Sequence, residues 1–181
     1  MDLDTEPALQ THARWLILDT MGCIMAGLRA GPVAELVQRA SAVDPGPFRF
    51  SFTQDAGQGL SVANASMVLA MAACWDEACE GHAGAHGRPG VAVLAALLPL
   101  ASRLTYGQFL KSFVVGYEVG ARMGASLRIN KGMHVDGNWP ALGAAAAVAC
   151  CRRPKINSLR SRLPIQIGLA RPFFAAIMAQ G

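Results

Sequence analysis

Along this chain apolar residues return at the spacing of a helix face, segment after segment, and only once at the alternation of a strand. From Pro7 to Arg29 they fall at Leu9, Ala13, Leu16, Ile17, Met21 and Ile24, close to a 3.6-residue period. Gly31-Pro32 ends that run, and Pro32 can open the next through Val33, Leu36, Val37 and Ala40. Leu60 to Trp75, Val91 to Arg103 and Pro140 to Cys151 read as further apolar helices. Thr105 with Gln108 has the spacing of a capping box for a helix reaching about Arg128. The exception is Val43 to Gly59, rich in proline and glycine, where Phe48, Phe50 and Phe52 alternate and suggest one short strand. The pattern predicts an all-α, bundle-like domain over residues 1–151.

Composition sharpens this picture. Alanine, glycine and methionine are plentiful while aromatics make up 7%, a mix suited to closely packed helices and not to β-sandwich cores. Only 15% of residues are charged, which points to surface covered by a partner or a second domain. The longest apolar runs, Gly90–Leu100 and Pro140–Cys151, fall short of the ~20 residues a membrane span needs. The net charge of +4 is confined to the end of the chain: from Trp139 onward there are six basic residues and no acidic one, leaving 10 basic against 12 acidic before it. The body has no basic stripe with interleaved aromatics, which argues against nucleic acid as a partner. Residues 152–181 read as a divergent basic tail carrying Pro154, Pro164 and Pro172. Five cysteines, two of them adjacent, make a poor disulfide framework, and the acidic start resembles neither signal nor transit peptide. The expected location is the cytoplasm.

Two polar loops interrupt the apolar helices and hold most of the chemistry. The first, Asp76 to Gly90, contains Asp76, Glu77, Glu80, His82, His86 and Arg88. Carboxylates and imidazoles are the usual proton carriers, and an arginine fork suits a substrate carboxylate. The second, Lys131 to Trp139, sets His134 among Lys131, Asp136 and Asn138, a possible acid/base group beside an anion-binding cation. Either loop can also be read as a solvated surface whose charges pair with each other. Cys74, Cys79, His82 and His86 supply four possible zinc ligands, although their spacing matches no common closed finger. No Walker loop, dinucleotide-binding glycine motif or serine-hydrolase elbow is present.

Several segments together resemble the MmgE/PrpD family. Trp15 to Gly27, with Asp19-Thr20 and Gly22 inside it, resembles the opening signature. Ala63-Asn64-Ala65 resembles the family's Asn-Gly helix start, and Arg88-Pro89-Gly90 its His-Pro-Gly segment, with arginine where the histidine falls. Gly116-Tyr117-Glu118-Val119 with Arg122 matches a further element, as do Gly132-Met133-His134 and the later Gly143-Ala-Ala-Ala-Ala run. Asp76-Glu77 is the nearest match to the family's acidic pair, and Gly81-His82 to its Gly-His.

The resemblance implies the N-terminal helical portion of a large domain, a smaller α+β domain further along, and homodimers. It also implies metal-free and cofactor-free acid/base chemistry on a di- or tricarboxylate: dehydration, decarboxylation or epimerisation, as in 2-methylcitrate dehydratase, cis-aconitate decarboxylase and iminodisuccinate epimerase. On that basis His134 and His82 are the expected proton carriers, with Glu80 and Asp76 assisting. Arg88, Lys131 and His86 are the expected contacts to substrate carboxylates. Family members run well beyond this length, so the expectation is a fragment of the full enzyme. The alternatives are a non-catalytic helical assembly module or a decayed paralogue.

Overall fold

The computed structural model describes residues 7–50 and 59–152. Phe52 and the basic tail from residue 153 onward lie outside the described residues. Within them the chain forms α1 (Pro7–Gly27), α2 (Gly31–Val43), the strand β1 (Pro45–Phe48), α3 (Val62–Cys74), α4 (Pro89–Leu97), α5 (Tyr106–Ser126) and α6 (Pro140–Cys151). Short 3₁₀ turns sit at Ala83–Ala85, Leu98–Arg103 and Val135–Gly137. The fold is all-α, as its apolar periodicity requires.

Local chemistry sets most of the boundaries. Pro32 falls in the first turn of α2, where its missing N–H is no loss. Ser61 caps α3 by accepting the Asn64 N–H at 3.2 Å, so that helix starts two residues later than the apolar run. The Asn64 side chain in turn donates to the Ala40 carbonyl at 3.3 Å and ties α3 to α2. Thr105 and Gln108 form the full capping box of α5, with both reciprocal hydrogen bonds made. The strand is displaced from the alternating phenylalanines to Pro45–Phe48. It bridges antiparallel to Leu60 at both ends, because the pairing partner, not the alternation, fixes the extended segment.

α4 is the central helix. Val91, Val93, Leu94, Ala95 and Leu97 are all buried, and a helix apolar on every side belongs inside the fold. It is surrounded by α1, α3, α5 and α6. Ile24, Val68, Leu69, Ala72 and Phe113 join it in one core. Its N-terminus is therefore held firmly where the first polar loop ends.

Small residues bring the helices together. α6 buries only Pro140, Gly143 and Ala147, a narrow stripe laid on α5. A Cβ on Gly143 would lie 2.7 Å from the Gly116 carbonyl, and one on Gly116 would lie 2.8 Å from the Gly143 carbonyl. The two backbones thus meet glycine to glycine, which accounts for both glycines of the signature elements. Gly27 is tighter still: its Cβ would fall 2.0 Å from the Ala72 carbonyl oxygen where α1 crosses α3. Backbone cannot yield there as a flexible side chain would. Gly27→Ala is expected to destabilise the fold by about 3 kcal/mol, the upper end of overpacking effects, whereas Gly22→Ala, in open space on the same helix, should be nearly neutral. Thermal melting of the two variants checks this.

Among the described residues no single helix is long and apolar enough to cross a membrane.

Candidate functional site

The first loop is organised around Glu80. Its backbone N–H donates to Asp19 Oδ2 on α1 at 2.8 Å. Its carboxylate turns inward: Oε1 accepts the Gly90 N–H at 2.7 Å and Oε2 accepts the Tyr117 hydroxyl at 2.9 Å. Gly90 is the second residue of α4, so the carboxylate satisfies an otherwise open N–H at a helix N-terminus. Burial pushes the Glu80 carboxyl above the ordinary carboxylate range, and the Gly90 N–H and Tyr117 hydroxyl offset this only in part. Burial, with the facing Glu80 charge, likewise keeps the Tyr117 phenol neutral well above its usual range. A Cβ on Gly90 would lie 2.7 Å from Glu80 Oε1 and 3.4 Å from the Thr20 hydroxyl. Glycine here lets carboxylate, hydroxyl and helix start converge. The Thr20 hydroxyl itself is buried and finds no partner among the described residues. The opening signature thus works in three dimensions: Asp19 and Thr20 face the loop that carries Glu80.

His82 begins the 3₁₀ turn Ala83–Ala85, with Nδ1 accepting the Ala85 N–H at 3.1 Å. That bond places the proton of the neutral ring on Nε2. The ring packs edge-on against Tyr117, centroids 6.2 Å apart, which sets His82 beside the phenol that donates to Glu80. His86 ends the turn in the left-handed region, φ 53°, and is exposed.

The second loop is anchored at two points. Trp139 is buried, 1% exposed, packed with Ala85 and Ala121 beside Val135. Its indole fills a slot bounded by Gly87 of the first loop and by Gly120 and Gly124 of α5. The other anchor is Asp136. Its Oδ2 lies 2.5 Å from Arg88 Nη2, a salt bridge from one loop to the other. Arg88 also pairs with Glu77 at 2.8 Å and donates to the Cys79 sulfur at 3.6 Å, leaving its side chain only 11% exposed. Burial works against the guanidinium charge, but Asp136 outweighs it and holds the group more firmly protonated than usual. His134, 75% exposed, has Nδ1 3.6 Å from the same Asp136 oxygen, and Nδ1 accepts the Asp136 N–H at 3.3 Å.

The structure therefore brings Arg88, Asp136 and His134 together across the loops, and Glu80, Tyr117 and His82 together beside α4. Asp76, His86 and Lys131 are exposed, with no contact among the described residues that joins them to either group. Glu80, not the Asp76-Glu77 pair, is the acid against the helix start. Sequence reasoning passed over Asp19, Thr20, Tyr117 and Asp136 as site residues. The first three were flagged only as letters of a motif, and Asp136 had no signal beyond its place in the loop.

The two neighbouring cysteines are packing groups. Burial raises Cys74 to about 11, against the opposing charge of Arg88, and raises Cys79 as well. At pH 8 Cys74 should carry roughly two-hundredfold less thiolate than a free cysteine of pKa about 8.5. Its alkylation by iodoacetamide in the folded protein is expected to be correspondingly slow, and to become fast in urea. Among the described residues no three histidine, cysteine, aspartate or glutamate side chains converge as a metal ion needs, so Cys74, Cys79, His82 and His86 do not assemble into a zinc site.

No curated protein matches this chain. Residues 2–155 match the MmgE/PrpD N-terminal domain. That span includes every helix among the described residues, both loops and the signature residues whose packing is described above, and the chain belongs to the MmgE/PrpD family.

Proposed function

We propose that this domain supplies acid/base groups for lyase-type chemistry on a di- or tricarboxylate, as the N-terminal part of the complete enzyme. The observation that carries the reading is the Arg88–Asp136 bridge, which sets His134 of one loop beside the groups of the other. Dehydration needs a base to take the proton beside the carboxylate and an acid to protonate the leaving hydroxyl, whereas loss of CO2 breaks a C–C bond and leaves a carbanion that an acid protonates, so either reaction needs a positioned proton carrier. Exposed His134 is the base in this reading. His82 is the second proton carrier, backed by Tyr117 and Glu80, with exposed Asp76 assisting. A carboxyl whose proton is favoured by burial, as in Glu80, can donate as well as accept. Lys131 and His86 hold the substrate carboxylates, since both are exposed, whereas the Arg88 fork already spans Asp136 and Glu77. Epimerisation uses the same proton abstraction and is the alternative outcome.

The test is proton exchange. This domain, completed by the rest of the enzyme, is incubated in D₂O with cis-aconitate, 2-methylcitrate and related carboxylates, and the C–H bonds beside the carboxylates are followed by NMR. Deuterium incorporation above the buffer rate is the expected result. Exchange at the buffer rate with every probe overturns the reading.

A second reading, a helical assembly module, is favoured by one specific observation. Trp15, Leu18 and Met25 are exposed along the face of α1 opposite its buried stripe. In our proposal this is where the homodimer forms, so the assembly and lyase readings are compatible. Sedimentation showing a monomer at every concentration argues against the dimer.

A further inference from the structure

We propose that Arg88 and Asp136 form a positioning pair: the arginine of the first loop fixes the carboxylate of the second, and that carboxylate sets the His134 imidazole. The inference rests on the acid/base reading of His134 and assigns Arg88 a role other than substrate binding.

Three observations carry it. Arg88 is almost enclosed, and its contacts run in two directions, to Glu77 and Cys79 within its own loop and to Asp136 across the gap. An arginine so committed has little fork left for a ligand, but its planar, doubly held guanidinium is a rigid mount. Asp136 Oδ2 is a shared point, 2.5 Å from Arg88 Nη2, 3.6 Å from His134 Nδ1 and 4.0 Å from the Cys74 sulfur. Finally, residues 131–134 are all exposed, and Gly132 takes a positive φ of 91°. Nothing in that stretch is packed, so the direction of His134 is inherited from the turn Val135–Gly137. Trp139 holds the turn at one end and the Arg88 bridge holds its middle.

The chemistry follows from the geometry. The neutral His134 ring accepts the Asp136 N–H at Nδ1, leaving Nε2 as the outer nitrogen. The Asp136 carboxylate lies 3.6 Å from the same nitrogen, so it fixes which edge of the ring turns inward, and Arg88 holds that carboxylate in place. The position matched to the family's histidine carries the arginine here, and its acidic partner lies on the other loop.

The test uses the full chain and the electrophile diethyl pyrocarbonate, which modifies accessible imidazoles. Modification of each histidine is followed by mass spectrometry, with exposed His12 on α1 as the internal reference, alongside melting temperature and the D₂O exchange assay. Asp136→Asn and Arg88→Met should each change the His134 rate relative to His12 by at least threefold. The reciprocal variant, Arg88→Asp with Asp136→Arg, should recover melting temperature by restoring the bridge. It should leave the His134 rate altered, because the imidazole then faces a cation. If Asp136→Asn leaves the His134 rate unchanged, or if the reciprocal variant restores it, the pair merely joins the loops and the proposal falls. An altered rate in a protein that shows no deuterium exchange keeps the positioning pair and removes the lyase reading.

Discussion

Replacing Trp139 by alanine is expected to lower folding stability by about 3–5 kcal/mol, the range for deleting a buried aromatic side chain. The indole is 1% exposed and sits in a slot made by the absence of side chains. A Cβ on Gly124 would lie 2.8 Å from its Cε2, and one on Gly87 would lie 2.7 Å from Cζ2. Neither glycine can refill the space it concedes, so the cavity left by truncation stays open. A domain holds only about 5–15 kcal/mol in total, so the loss is a large share. The damage should also be local in a particular way. Trp139 ends the second loop and begins α6, and its slot is lined from the first loop and α5, so the variant should release the two loops from each other before the core opens. Urea denaturation followed by circular dichroism measures the first effect, and hydrogen exchange over residues 131–138 the second. Trp75, 47% exposed, is the control, and its alanine variant should fall within about 0.5 kcal/mol of the parent. A Trp139→Ala protein as stable as the Trp75 variant removes the anchoring role.

In the completed enzyme, replacing His134 by alanine is expected to lower the deuterium-exchange rate by about 10²–10⁴-fold, the usual contribution of a positioned acid/base group. The imidazole is three-quarters exposed, so its removal leaves no cavity and stability should hardly change. Its ring nitrogen faces a carboxylate already fixed by Arg88. Exchange and melting temperature should therefore separate: a catalytic loss with an unaltered fold. His12, exposed on α1 and distant in sequence from both loops, should be neutral in both measurements when replaced. Full exchange in the His134→Ala protein excludes it as the base and leaves His82, beside Tyr117 and Glu80, as the other proposed proton carrier.

The helices were legible before any coordinates because their causes are local. Pro32, Thr105 with Gln108, and Pro140 act through groups within one turn, and apolar residues at a 3.6-residue period require a buried face wherever it goes. The strand was less legible, since the bridges from Pro45 and Phe48 to Leu60 depend on a partner the alternation of phenylalanines does not name. The signature residues could be recognised by order alone, but not their work. Gly116 and Gly143 turn out to be one contact seen from two helices, and Asp19 and Thr20 serve a loop some sixty residues away.

What the sequence determined by itself was the helical class, the helix limits to within a turn or so and the concentration of proton carriers in two loops; the run Val91 to Arg103 is the exception, dividing into α4 and a 3₁₀ turn at Leu98–Arg103. These follow from backbone and side-chain chemistry over short spans. Only the tertiary structure decided which acid faces the start of α4, that Arg88 spends its fork on Glu77 and Asp136, and that Asp136 stands beside His134. Charged groups choose partners by distance through space, and the separation of 48 positions between Arg88 and Asp136 carries no periodicity that would reveal the pairing.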